Sequence, residues 1–147
     1  MGRNHFIGVR EQLKSSIHRL DDAKALLDAA RWRGAMYLAG YSIECLLKAK
    51  LMKIFDCQNL LDLEDDLQRR HLLAENATIF THQLESLLRL TNGLHRLRQN
   101  IQLWPLFNMV NRWMPAWRYN PDLSNREDAE DYMDAVDKIR HWIDNNV

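Results

Sequence analysis

A nearly continuous apolar run, GAMYLAGYSIECLLKAK at residues 34–50, constrains this chain more than any other feature of its sequence. A helix that is apolar on most sides is buried among other helices, so the run predicts a central helix over residues 33–55. The run is too short, and too closely followed by lysines, to span a lipid bilayer. The residues expected in the core are Leu38, Ile43, Leu46 and Leu47.

The composition favours helices around this central one. Five Gly and three Pro in 147 residues are too few for the turns of an all-β chain of this length. The length suits one domain over residues 1–147. Twenty basic and twenty acidic residues give a formal net charge of zero, which argues against a domain wrapped in nucleic acid but allows a local basic patch. We expect a single all-α domain, an up-and-down bundle of four to five main helices.

Helical spacing of apolar residues predicts the helices that flank the central one. An amphipathic helix is expected over residues 8–30, a short helix between residues 56 and 80, and a third over residues 81–94 with Thr81 as its N-cap. The apolar stripe of the first of these helices consists of Val9, Leu13, Ile17, Leu20 and Leu27. The inward side of the third consists of Leu84, Leu87 and Leu88.

The last helix has the clearest start signal. Ser124 and Glu127 match the capping box S-x-x-E, which predicts a helix that begins near Asn125. Its apolar stripe consists of Ala129, Tyr132, Met133, Val136, Ile139 and Ile143.

Cysteines and histidines indicate the compartment and the chemistry. Cys45 and Cys57 imply no disulfide framework, and residues 1–13 lack the apolar stretch of a signal peptide, so we expect a cytoplasmic protein. The six histidines show no metal-ligand spacing, and there is no Gly-rich phosphate loop. We therefore expect neither a metal nor a cofactor.

Three short motifs occur in order before the long final helix. They are A-x-Y-x-x-x-x-x-I-E-x-x-L-K-A, T-H-x-L and R-Y. Their residues are Ala35, Tyr37, Ile43, Glu44, Leu47, Lys48 and Ala49; Thr81, His82 and Leu84; and Arg118 and Tyr119. In this order, over about residues 9–144, the motifs resemble the HEPN family (higher eukaryotes and prokaryotes nucleotide-binding domain).

The resemblance implies a homodimer of helical bundles, often encoded beside a small nucleotidyltransferase, with roles in toxin–antitoxin pairs, defence and RNA processing. Many such proteins are metal-independent ribonucleases that use an Arg and a His, with four to six residues between them, at the start of the last helix. That pair is absent here, and His141 lies at the far end of the last helix. Arg89 and His95 have the spacing, but chance alone supplies about one or two such pairs, and these lie on another helix.

We therefore interpret the chain as a HEPN-like nucleotide- or RNA-binding module that acts with a nucleotidyltransferase or another partner in a toxin–antitoxin, defence or stress system. Two alternatives remain open. One is a metal-independent ribonuclease with a non-standard pair, such as Arg118 with His82. The other is a structural dimerisation module without a ligand.

The expected ligand-binding residues are Arg118, Tyr119 and Asn120, which precede the last helix. The Arg118 guanidinium suits a bidentate contact with phosphate, and the Tyr119 ring suits stacking on a base. The alternative is a structural role, in which the aromatic residues close the end of the bundle and Arg118 pairs with a carboxylate.

Glu44, Lys48 and His82 are the secondary candidates. Glu44 and Lys48 are neighbours one turn apart on the central helix, so the simplest interpretation is a modest ion pair at its edge. A role for Glu44 or His82 as a general base is the alternative. His82 directly follows Thr81, so it is otherwise a histidine at a helix start.

Overall fold

All regular secondary structure in the described part of the chain is helical. The structure, a computed structural model, describes residues 8–119 and 124–147, without the side chain of Arg118. Seven α-helices and one 3₁₀ helix lie in these ranges: α1 (Val9–Asp28), α2 (Trp32–Ile54), α3 (Leu60–Arg69), α4 (Leu84–Leu90), α5 (Gly93–Arg98), α6 (Trp104–Val110), the 3₁₀ helix (Pro115–Tyr119) and α7 (Arg126–Asn146). None of these helices combines the length and the apolar character needed to cross a membrane. The all-α prediction is confirmed, whereas a count of four to five main helices stays a prediction.

Helix α2 is the centre of the bundle. It contacts α1, α3, α4, α7 and the 3₁₀ helix, so most of its circumference is covered. Ile43, Leu46 and Leu47 are fully buried, as the apolar run predicts. The prediction of Leu38 as a core residue is wrong, because its side chain packs against the core but stays partly exposed.

Helix α1 packs along α2 with an inner face that mixes polar and apolar side chains. Three residues, Ala29–Arg31, join the two helices, and such a short link makes them antiparallel neighbours. The side of α1 that meets α2 carries Gln12, Ser16 and Ala23, and the Ser16 hydroxyl donates a hydrogen bond to the Ser42 carbonyl at 2.6 Å. The predicted apolar stripe is therefore wrong at Ile17, which is 51% exposed, because smaller and polar side chains occupy the close approach.

The start of α7 differs from the prediction by one residue. The N-cap is Asn125, whose side-chain oxygen accepts a hydrogen bond from the Asp128 amide at 2.8 Å. The capping box predicted for Ser124 and Glu127 is therefore wrong. The predicted apolar stripe of α7 is confirmed, since all six of its side chains are buried.

The helix predicted over residues 81–94 is two helices. Helix α4 has Gln83 as its N-cap, and the Thr81 hydroxyl instead accepts a hydrogen bond from the Gln83 amide at 3.1 Å, which makes a turn before the helix. The chain leaves α4 through Asn92, whose φ of 63° is left-handed, and α5 then begins at Gly93. The prediction of Thr81 as the N-cap is wrong, but the inward leucines of α4 are buried as expected.

The corrected cap gives a direct prediction. Asn125→Ala is expected to lower the free energy of unfolding by about 1 kcal/mol, because the Asp128 amide loses its side-chain acceptor. Ser124→Ala is the matched control and is expected to change stability little. Urea denaturation of both variants measures the difference, and an equal loss in the two would contradict this assignment.

Candidate functional site

The primary sequence candidates lie mostly beyond what the structure describes. Tyr119 ends the 3₁₀ helix with an exposed ring. The side chain of Arg118 and the whole of Asn120 lie outside the described residues. Contacts of these three residues with phosphate or a base therefore stay predictions.

A small cavity of about 240 Å³ lies beside the start of α7, close to those candidates. Its lining includes two arginines, Arg33 and Arg112, but also Asp128 and Asp131. The Arg33 guanidinium lies over the Trp117 ring, 5.1 Å from its centroid. Because cations and carboxylates balance there, this cavity has no strong preference for a phosphate.

The secondary candidates converge on one buried carboxylate. Lys48 Nζ lies 3.4 Å from Glu44 Oε2, and His82 Nδ1 lies 2.5 Å from Glu44 Oε1. Only 3% of Glu44 and 6% of Lys48 are exposed. The expected ion pair at the edge of the helix is therefore wrong in its position: the pair is buried, with a histidine as its third member.

The segment before α4 brings His82 to this carboxylate. Ile79, three residues earlier, is fully buried and anchors the segment in the core. Its amide donates to Glu64 Oε1 at 3.2 Å, and the Thr78 hydroxyl donates to the same oxygen. The T-H-x-L motif is thus fixed against α2 from a distance of 38 residues in sequence.

The Glu44 contact leaves one ring nitrogen of His82 available. His82 Nδ1 faces the carboxylate, and in the tautomer that carries its proton on Nδ1 the ring donates to Glu44 and Nε2 is an acceptor. The side chain is 52% exposed, and Nε2 makes no hydrogen bond to any described residue. An imidazole oriented in this way can take a proton from a bound molecule at Nε2.

Aromatic rings pack beside the His82 ring. The Trp113 ring centroid lies 6.1 Å from that of His82 and 5.9 Å from that of Tyr37, and Trp113 Nε1 donates to the Tyr37 carbonyl at 2.7 Å. Gly40 makes this packing possible, since a Cβ atom there would lie 2.0 Å from Trp113 Cδ1. The indole is buried, so it forms a wall of the site rather than an exposed stacking surface.

His82 lines a cavity of about 590 Å³, which we call the His82 cavity. The exposed Phe80 ring lines it too, together with neutral polar side chains such as Thr81 and Asn111. Its one carboxylate, Glu85, accepts a hydrogen bond from Arg98 at 3.2 Å, and no Lys or Arg is among the described lining residues. Exposed rings and neutral hydrogen-bonding groups suit a nucleobase better than a phosphate.

Cys45 and Tyr41 border the buried carboxylate but remain protonated near neutral pH. Burial, followed by the Glu44 carboxylate, raises the pKa of the Cys45 thiol to about 12. Burial is also the main cause that raises the pKa of Tyr41. The Cys45 thiol is therefore a poor nucleophile near neutral pH.

Sequence analysis missed Phe80 and the cavity that it lines, and it assigned Trp113 only to the aromatic residues that close the end of the bundle. One signal for Trp113 was present: a glycine inside an otherwise apolar helix, Gly40, marks a close approach by another group. Phe80 had no comparable signal, because one apolar residue in a polar segment is common.

Comparison with known proteins finds no family model, no curated protein and no solved structure that matches this chain. The HEPN resemblance therefore rests on the order of the sequence motifs.

Proposed function

We propose that this chain is a HEPN-like nucleotide- or RNA-binding module that acts with a nucleotidyltransferase or another partner in a toxin–antitoxin, defence or stress system. One observation carries the proposal: residues from two separate motifs, I-E-x-x-L-K-A and T-H-x-L, meet at one buried carboxylate beside the His82 cavity. The proposed assembly is a homodimer with two-fold symmetry. Large apolar side chains that one chain leaves exposed outside the His82 cavity support it, among them Ile17 and Leu61.

In this proposal, a base of single-stranded RNA or of a nucleotide occupies the His82 cavity. Its volume of about 590 Å³ is within the range of ligand sites in proteins. The base stacks on the exposed ring of Phe80 or His82, and Thr81 and Asn111 supply hydrogen-bonding groups at the edge. The formal neutrality of the chain fits such a local site rather than a broad basic surface.

Binding is tested by fluorescence anisotropy with short labelled single-stranded RNA and by calorimetry with nucleoside triphosphates. Phe80→Ala is expected to weaken binding about tenfold, because one stacked base contributes roughly 1–3 kcal/mol. Ile101→Ala, an exposed apolar residue outside the cavity, is the control. Arg118→Ala separates the two candidate sites. If binding is lost in that variant alone, the ligand site lies at the 3₁₀ helix and not in the His82 cavity.

The same samples also test the proposed dimer. Light scattering on the same samples is expected to give twice the chain mass of 17.5 kDa, and a mass of 17.5 kDa contradicts the dimer. A dimer that binds neither RNA nor nucleotide contradicts the binding function and favours the structural dimerisation module.

A metal-independent ribonuclease is the second candidate, favoured by the 2.5 Å contact between Glu44 and His82. His82 Nε2 would take the proton of a 2′-hydroxyl, whose oxygen attacks the adjacent phosphorus while the 5′-oxygen leaves. The described cavity lining has no cation for the developing charge, which is why binding is the first candidate. Cleavage in the presence of EDTA that disappears in both His82→Gln and Arg118→Ala would establish the ribonuclease instead.

A further inference from the structure

A second large cavity lies between the end of α2, α4 and the segment that precedes α4. Its volume is about 650 Å³, within the range of small-molecule sites. The apolar part of its lining comes from Ile54, Phe55, Leu72, Leu73 and Leu90. Ile54 and Leu72 are exposed despite their size, so the chain leaves apolar surface uncovered at this place. We call this the Arg89 cavity.

Arg89 is the only charged side chain among the described residues that line it. Its side chain is 65% exposed, and its nearest carboxylate oxygen, Glu85 Oε1, is 3.9 Å away. That oxygen already accepts a hydrogen bond from Arg98 at 3.2 Å. The Arg89 guanidinium therefore has donors left for an anionic group held in the cavity.

The wall that faces these helices is fixed before any ligand arrives. Glu64 Oε1 accepts hydrogen bonds from the Thr78 hydroxyl and the Ile79 amide, and Ile79 is fully buried. Two turns with left-handed residues, His71 at φ 57° and Asn76 at φ 65°, shape the segment. A wall segment held in place in this way loses little conformational entropy when a ligand binds.

We propose that the Arg89 cavity binds a small amphiphilic anion, with an apolar body against Ile54 and Leu72 and one anionic head group on Arg89. The lining combines apolar side chains with neutral polar ones such as Asn76 and Gln83, and its single cation among the described residues selects one negative group on a molecule with an apolar part. One cation beside apolar and neutral polar groups, in a volume of about 650 Å³, suits one small molecule. This site is distinct from the proposed binding of nucleotide or RNA, although Thr78, Thr81, Gln83 and Ser86 line both cavities.

The test uses the native chain with two probes, anilinonaphthalene sulfonate and decanoate. The fluorescence of anilinonaphthalene sulfonate is expected to rise on binding and to saturate at one site per chain. Added decanoate is expected to displace the dye and reverse this rise. Decylamine, which has the same chain length and a positive head, is expected not to compete. Arg89→Gln should weaken sulfonate binding at least tenfold, whereas Arg69→Gln, an exposed arginine outside this cavity, should leave it unchanged.

The Leu72→Ala variant keeps Arg89 but removes part of the apolar wall. It is expected to weaken the binding of decanoate more than that of acetate, which has the same head group and a much shorter apolar part. Equal sulfonate binding by wild type and Arg89→Gln overturns the proposal, as does equal competition by decanoate and decylamine. Displacement by an acidic amphipathic peptide but not by decanoate overturns it in favour of a protein-docking surface. Loss of RNA binding in Phe80→Ala is measured separately, so failure of one site does not hide failure of the other.

Discussion

Gly40→Ala is expected to lower the free energy of unfolding by about 3 kcal/mol, although alanine is the better helix former by about 1 kcal/mol. The added methyl group would lie 2.0 Å from Trp113 Cδ1 and 2.3 Å from Cγ, far inside van der Waals contact. The indole cannot retreat easily, since it is buried and its Nε1 donates to the Tyr37 carbonyl at 2.7 Å. Urea denaturation measures the loss, and tryptophan fluorescence reports the displacement of the ring.

Gly34→Ala is the matched control on the same helix. A Cβ atom there would meet only Leu26 Cδ1, at 3.2 Å, which is the end of a flexible side chain. Stability is expected to stay within about 1 kcal/mol of wild type. A double-mutant cycle with Trp113→Leu isolates the clash, because the penalty at Gly40 should shrink in that background. A Gly40→Ala variant as stable as wild type would refute the packing described for Trp113.

Glu44→Gln is expected to lower the free energy of unfolding by about 3–5 kcal/mol, because it leaves the buried Lys48 ammonium without a countercharge. The control is another pair at the same i, i+4 spacing, Asp134 and Lys138, which lies on the surface at 2.9 Å. Asp134→Asn should lower the free energy of unfolding by at most about 1 kcal/mol. Urea denaturation of both variants gives the comparison.

The double variant Glu44→Leu, Lys48→Met separates burial from charge. It removes both charges and keeps similar volumes, so much of the lost stability should return. His82 also loses its carboxylate, and the Nδ1–H tautomer should no longer be favoured in nitrogen NMR spectra. A loss below 1 kcal/mol in Glu44→Gln alone would mean that the pair is open to water.

The sequence predicts those parts of the fold that depend on local periodicity. The burial of α2 and the apolar stripe of α7 follow from spacing within one helix, and both are confirmed. The inner face of α1 does not follow, since the buried Ser16 donates to the Ser42 carbonyl of α2, a contact that spacing within α1 cannot reveal. The choice between two adjacent capping residues, Ser124 and Asn125, is also decided by the backbone and not by composition.

The candidate site also has a part that local spacing predicts and a part that only contacts between distant segments create. Glu44 and Lys48 are neighbours on any helix, but their burial depends on what α4 and the segment before it place over them. The contact with His82 joins two motifs that the sequence can mark but cannot bring together. The His82 cavity arises from residues of unrelated segments, among them Phe80 and Trp113, and has no linear signature.

The three-residue link between α1 and α2 has a consequence for the order of folding. Two adjacent helices that pack along their length close only a short loop, so this hairpin can form early at a small entropic cost. Helix α7 covers α2 from the other end of the chain, after the whole stretch between Ile54 and Arg126. During synthesis α7 is therefore the last of the described helices to appear, and until then the side of α2 that it covers stays exposed, which favours aggregation of the nascent chain.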